Sequence, residues 1–100
     1  MKVTIQSPQP AVSSKLNNFI HKKLNKLELF YDRIIRVEVF LKMVNSSEKS
    51  NKISEILLHV PGEQLVIKKE ASSFEASMDL AVQSLGRRLK KTKAKQRAHV

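Results

Sequence analysis

The segment Arg33-Ile34-Ile35-Arg36-Val37-Glu38-Val39-Phe40-Leu41-Lys42-Met43-Val44 decides the fold. Ile35, Val37, Val39, Leu41 and Met43 share one parity, and Arg36, Glu38 and Lys42 share the other. Alternation with period two, sustained this long, predicts a strand with one face buried and one in water. A strand of that kind needs pairing partners and a cover for its apolar face. Both can be sought on either side of it.

Downstream, Asn45-Ser46-Ser47-Glu48-Lys49-Ser50-Asn51 has no apolar anchor and is expected to be a mobile loop. A strand over Ile53 to Val60 follows. Val60-Pro61-Gly62-Glu63 then places Pro and Gly where a type II turn requires them, since Gly takes positive φ at little cost. Gln64 to Glu70 is expected to return from that turn as a hairpin partner. Ser72-x-x-Glu75 reads as a capping box, so a helix opens at Ser72 or Ser73. Phe74, Met78, Ala81, Val82, Leu85 and Leu89 form its apolar stripe. Gly86 interrupts it at a cost of about 1 kcal/mol relative to Ala, leaving room for a close approach or a slight bend.

Upstream, Val3 and Ile5 alternate with polar residues in a short strand over residues 2 to 6. Pro8 and Pro10 mark a loop, and Ser13 and Ser14 offer hydroxyls to start a helix. Leu16, Phe19, Ile20, Leu24 and Leu27 recur at helical spacing up to about residue 28, where Leu29-Phe30-Tyr31-Asp32 closes the helix. The element order is β-α-β-β-β-α. It predicts an α+β two-layer sandwich, a four-stranded sheet with both helices on one face.

One hundred residues close a single core, so residues 1–100 are expected to form one domain, with a basic, flexible tail from about 92 to 100. There is no cysteine, which excludes a disulfide framework and a thiolate metal site. The first residues carry no secretory pattern, and no apolar run is long enough to span a membrane. A cytoplasmic protein without membrane association is the expectation.

Nineteen Lys and Arg stand against nine Asp and Glu, a net charge of +10. Compacting like charge costs free energy, and a polyanion relieves that cost, which points first to nucleic acid. Position sharpens the point. From Leu80 to Val100 there is no acidic residue, yet Arg87, Arg88, Lys90, Lys91, Lys93, Lys95 and Arg97 are all present. The helix dipole favours cations over the last turn only, which accounts for one or two of them. At about 100° per residue, Arg87, Lys91 and Lys95 form a stripe roughly opposite the apolar one, flanked by Arg88 and Lys90. On the first helix, Lys15, Lys22 and Lys26 share one side. Lys23 falls inside the apolar stripe, between Phe19 and Leu27. Its ammonium either snorkels over the sheet edge or is aimed at a phosphate, and the residues alone do not choose.

The aromatic residues Phe19, Phe30, Tyr31, Phe40 and Phe74 do not pair on strands as a stacking platform for single-stranded bases, so recognition should be electrostatic and by shape. His21, His59 and His99 lie far apart in sequence without a Ser or carboxylate partner at suggestive spacing. Two glycines build no phosphate-binding loop, and no ligand cluster suggests a metal. No catalytic residue, metal or cofactor is expected, and the protein is read as a binding protein, not an enzyme.

Leu16-x-x-Phe19, Lys23-x-x-Lys26-Leu27-Glu28, Tyr31-Asp32-Arg33-Ile34 and Val39-Phe40-Leu41-Lys42 together form an ordered set. Leu58-His59-Val60, then Ala76, Asp79 and Leu85-x-Arg87-x-Leu89-x-Lys91-x-Lys93, extend it across nearly the whole chain. The set resembles the ribosome hibernation-promoting and ribosome-associated inhibitor family. That resemblance implies a fold similar to double-stranded-RNA-binding domains with an added first strand. It also implies binding to small-subunit rRNA in the channel between head and body, across the paths of mRNA and of A- and P-site tRNA, which inhibits translation in resting cells.

On matching positions the resemblance assigns RNA contacts to Lys23, Lys26, Arg33, Arg87, Lys91 and Lys93, and it tips Lys23 toward the phosphate. Charge geometry adds Lys22, Arg88, Lys90 and Lys95. Long members of the family carry a second, dimerising domain that pairs ribosomes, and some short members a longer tail. By length this chain resembles the short hibernation-promoting type, expected to be a monomer off the ribosome and to act beside a separate ribosome modulation factor. Two alternatives compete. A generic double-stranded-RNA-binding module would place its lysines at the start of the last helix, where Phe74 to Asp79 has none. A small RNA-modifying enzyme would need a catalytic cluster.

Overall fold

In a computed structural model, residues 1–7, 12–29, 31–44 and 51–97 are described, with side chains to residue 95. The elements are β1 (Lys2–Gln6), α1 (Ser14–Glu28), β2 (Arg36–Met43), β3 (Lys52–Val60), β4 (Glu63–Ala71) and α2 (Phe74–Arg97). They form one four-stranded sheet in the order β1-β2-β3-β4. β1 pairs parallel with β2, which demands a crossover, and α1 supplies it. The β2–β3 and β3–β4 pairs are antiparallel. This is the expected α+β architecture.

Both helices cover the same sheet face. Val37, Val39 and Leu41 of β2, Ile56, Leu58 and Val60 of β3 and Leu65 of β4 are buried in one cluster with residues of both helices. α1 contributes Ile20, Leu24 and Leu27, and α2 contributes Met78, Ala81, Leu85 and Leu89. Leu16, Phe19, Phe74 and Val82 pack around its rim. One polar link is embedded in it: Ser54 of β3 and Ser77 of α2, both fully buried, bring their hydroxyls to 2.6 Å. Ser77 also lies 3.1 Å from the Phe74 carbonyl, to which it can donate.

The ends of the predicted β2 stripe depart from expectation. Ile35 is 57% exposed and Met43 45%, while Ile34 is buried in the core. Asp32 and Arg33 form a turn and the ladder begins only at Arg36, so the alternation has no hold on Ile35. Tyr31, just before the turn, is buried and donates its N–H to the Leu27 carbonyl at 3.0 Å.

Local signals at the helix starts act as side-chain chemistry requires. Ser13 Oγ accepts the Leu16 N–H at 3.1 Å and caps α1. α2 is capped by Ser73, whose hydroxyl accepts the Ala76 N–H at 3.1 Å, so the cap falls one residue after the expected Ser72, and with Ala at position 76 it is a single serine cap without the reciprocal glutamate of a box. The hairpin turn is Pro61-Gly62, with Val60 paired to Glu63 and Gly62 at φ 76°. A Cβ there would touch nothing within 4 Å, so the need for Gly is conformational, not steric. α2 runs to Arg97 and buries Thr92. The segment expected as a tail from about residue 92 is therefore helical as far as Arg97. The expected loops at Pro8–Pro10 and over 45–50, Phe30 in the helix-closing segment, and residues 98–100 lie outside the described residues.

Candidate nucleic-acid interface

Charge divides between the two sides of the sheet. Register and alternation put Lys2, Arg36, Lys42 and Lys68 on the side away from the helices, with Glu38, Glu55 and Glu70. Four cations against three carboxylates leave that open face at +1. Its charges also pair: Lys42 lies 3.2 Å from Glu55, and His59 Nε2 lies 2.9 Å from Glu38 Oε2. The helices differ. α1 carries Lys15, Lys22, Lys23 and Lys26 against Glu28, and α2 carries seven cations against Glu75 and Asp79. Together they hold +8 of the chain's +10.

The two helices meet along a groove of about 510 Å³. Lys23, Lys26 and Leu27 line it from α1, and Arg87, Lys90, Val82 and Gly86 line it from α2. Its floor is apolar where Leu27, Val82 and Gly86 approach, and its rim is cationic. Among the described residues Asp79 is the one acidic residue lining it, accompanied by Gln83. Sequence reasoning had placed Lys26 and Arg87 on separate helices. The fold brings them to one groove.

Three further cations of α2 sit on its other flank. Arg88, Lys91 and Lys95 line a shallower depression of about 210 Å³ against Glu63 and Leu65 of β4. Lys91 and Lys95 therefore do not share the groove with α1, although they stand on the same side of the sheet. Lys22 and Arg33 are exposed and line neither depression, and Lys93 is half-buried. The cations of the two helices thus stand on one side of the sheet along two flanks.

Internal partners separate the assigned residues further. Lys23 Nζ is 2.8 Å from Asp79 Oδ1 and 5.4 Å from the centroid of the Phe19 ring. Its ammonium thus makes an ion pair between α1 and α2. The hydrogen bond from Lys23 holds the Asp79 carboxyl below the usual carboxylate range against the opposing effect of desolvation, aided by the field of Lys23, the Gln83 amide and the field of Lys26. Arg87 donates to Ser84 Oγ at 3.1 Å, and Arg88 donates to the Val66 carbonyl on edge strand β4 at 2.7 Å. Lys93 is also engaged. Lys22, Lys26, Arg33, Lys90, Lys91 and Lys95 have no hydrogen bond or ion pair among the described residues.

In the sequence Asp79 stands in the set that carries the family resemblance and is the last acidic residue before the cationic tract, with no role assigned to it. Its partner is remote in the chain and no local pattern joins them. His21 is half-buried on α1, His59 is bonded to Glu38, and His99 lies outside the described residues. Among the described residues no three His, Cys, Asp or Glu side chains gather as metal ligands, and no helix is long and apolar enough to cross a membrane.

Two solved structures share this architecture. A ribosomal subunit interface protein from Coxiella burnetii superposes with a TM-score of 0.82 at 22% identity, over 94% of this chain and 99% of the other. The N-terminal domain of Thermus thermophilus Protein Y gives 0.79 at 20% identity, over 92% and 99%. Closer in sequence is a ribosome hibernation promoting factor of Azotobacter vinelandii, 34% identical over 96 residues, which are 96% of this chain and 86% of that one. The protein of that name from Escherichia coli K12 is 32% identical over 99 residues, 99% of this chain and all of the other. Residues 3–97 match the family described as Sigma 54 modulation protein / S30EA ribosomal protein. With nearly its whole length matched in sequence and its fold matched in space, this chain belongs to that family.

Proposed function

We propose that this protein is a cytoplasmic ribosome hibernation factor, which binds rRNA of the small subunit in the decoding channel and blocks mRNA and tRNA there. The observation that carries the proposal is the charge division: the two helices hold +8 of the +10, on one side of the sheet, while the opposite face is near neutral. Such a surface binds phosphates by releasing their condensed counterions, and its mechanism is occupancy of space, with no bond made or broken. The ribosomal partner is supported by the names of its relatives, hibernation promoting factors similar over nearly the full chain.

On this reading Lys26 and Lys90 face phosphates from the two sides of the groove, Lys91 and Lys95 extend the contact along α2, and Lys22 and Arg33 flank it. Arg87 stands between the groove and the outer ridge, and its bond to Ser84 leaves guanidinium N–H groups to offer. The protein acts as a monomer, with a ribosome modulation factor as a separate partner.

The test is sedimentation with purified small subunits, followed by competition with mRNA and initiator tRNA. The double variant Arg87→Glu/Lys91→Glu should lose co-sedimentation while its melting temperature stays near the parent's, because both side chains are exposed. Undiminished binding by that variant would remove the assigned surface. Equal affinity for small subunits and for an unrelated RNA duplex would favour the generic duplex-binding alternative.

A further inference from the structure

Asp79 is out of place in a groove that otherwise gathers cations, and both of its carboxylate oxygens are committed. Oδ1 faces the Lys23 ammonium at 2.8 Å, and Oδ2 accepts the Gln83 amide N–H at 3.0 Å. The ammonium is held from a second side by the Phe19 ring at 5.4 Å, within cation–π range. Lys26 is one turn further along α1, exposed and without a hydrogen bond or ion pair among the described residues, although its field reaches Asp79. On the opposite wall Lys90 is likewise exposed and without a hydrogen bond or ion pair among the described residues.

We propose that Asp79 is a specificity-determining residue, which holds Lys23 out of the phosphate-contacting set and so makes the groove a seat for two RNA backbones instead of one. This rests on the RNA-binding function proposed above and names the kind of RNA that fits it. A phosphate brought to Lys23 at the middle of the groove meets the Asp79 carboxylate at the same time, and the pair presents no net charge there. Free cations remain only toward the two walls, Lys26 on α1 and Lys90 with Arg87 on α2. Folded RNA that offers two backbones on either side satisfies both walls and leaves the apolar floor of Leu27 and Val82 uncrossed. A lone strand laid along the floor gains from neither. Lys23 is thereby a positioning residue, tying α1 to α2 and fixing the separation of the walls, and not itself a phosphate ligand.

The measurement is affinity against salt for two probes, single-stranded oligouridylate and purified small subunits, with the intact protein. Asp79→Asn frees the Lys23 ammonium, and its salt slope on oligouridylate should steepen by about 0.7, the value for one added single-strand contact. Its affinity for that probe at low salt should rise several-fold, narrowing the preference for small subunits. The double variant Lys23→Met/Asp79→Asn removes cation and anion together and should match the parent on both probes in slope. Circular dichroism is the check that both variants fold, and the double variant carries no unpaired charge if the single one is destabilised. An unchanged slope for Asp79→Asn overturns the proposal. So does a double variant that loses about 0.9 from its small-subunit slope, for Lys23 would then be a direct contact. Failure of the parent to bind small subunits would instead overturn the ribosomal function, while the oligouridylate arm still reads the role of Asp79.

Discussion

The salt dependence of binding can be worked from the partner assignments. Of the ten cations assigned to the interface, Lys22, Lys26, Arg33, Lys90, Lys91 and Lys95 have no internal hydrogen bond or ion pair among the described residues. Six phosphates neutralised by these six, and a seventh by the guanidinium N–H groups that Arg87 keeps free, give a slope of log affinity on log salt of about −6, at about 0.9 per contact in duplex RNA taken as comparable to duplex DNA. Raising monovalent salt from about 50 to 200 mM should then weaken small-subunit binding by roughly a thousandfold or more. All ten cations acting alike would give a slope near −9, a difference well outside the error of a titration.

The perturbation that tests the assignment is Lys26→Gln/Lys90→Gln, one free cation from each wall of the groove. Sedimentation or filter binding at a series of salt concentrations should show the slope falling in magnitude by about 1.8, with the two affinity curves converging at high salt. Neither side chain touches the core, so thermal unfolding should move little. A variant whose slope equals the parent's would refute the placement of these lysines against phosphate. A parent slope shallower than about −2 would refute the electrostatic mechanism as a whole.

The buried Ser54–Ser77 link predicts an asymmetry between two conservative truncations. Ser77→Ala strands the Ser54 hydroxyl in the core and should cost about 1–3 kcal/mol by urea unfolding, whereas after Ser54→Ala the Ser77 hydroxyl keeps the Phe74 carbonyl, and the cost should be smaller; equal costs would refute the bonding order. Val39 is fully buried at the centre of the sheet, so Val39→Asp places a charge without a partner in the core and should abolish the cooperative unfolding transition; a stably folded variant would mean the strand faces are inverted. Asp79 has a lowered pKa in the folded chain, so its stabilising effect is complete above the unfolded value near ~3.9 and is lost as pH falls through the folded one. Asp79→Asn should remove that part of the acid destabilisation, and an NMR titration of the Asp79 carboxyl with an ordinary midpoint would contradict the ion pair.

How far the sequence could be read depended on whether a signal was local. Period-two alternation found β2 because one face of it is dry, and it failed at Ile35 because the Asp32-Arg33 turn resets the phase. The two apolar stripes located α1 and α2, and the Pro-Gly turn located the hairpin, each by chemistry confined to a few neighbouring residues. The length of α2 was missed for a related reason. Beyond Leu89 the helix is held down by Thr92, a buried residue that a hydropathy pattern counts as polar. Charge geometry put the cations on the outward sides of the two helices, but a helical wheel cannot say which flank faces a neighbouring helix. It could not show that Arg88 would reach the Val66 carbonyl on an edge strand, nor that Lys23 would find Asp79.

Those internal engagements explain how a chain this basic folds while keeping a surface for a polyanion. Arg88 takes up an unpaired carbonyl on edge strand β4, where another chain could otherwise add a strand. Lys23 ties the two helices together through Asp79. On the open face, Lys42 with Glu55 and His59 with Glu38 leave little field. Most of the cations that remain uncommitted stand on the helical side, and at physiological salt their potential decays within about 8 Å. The body of the domain separates them from the open face. A polyanion approaching that face therefore meets a nearly neutral sheet, while one approaching the helices meets most of the charge of the molecule. The orientation of binding is thus selected during approach, before any contact of shape is made, and it follows from which lysines and arginines the fold has already occupied.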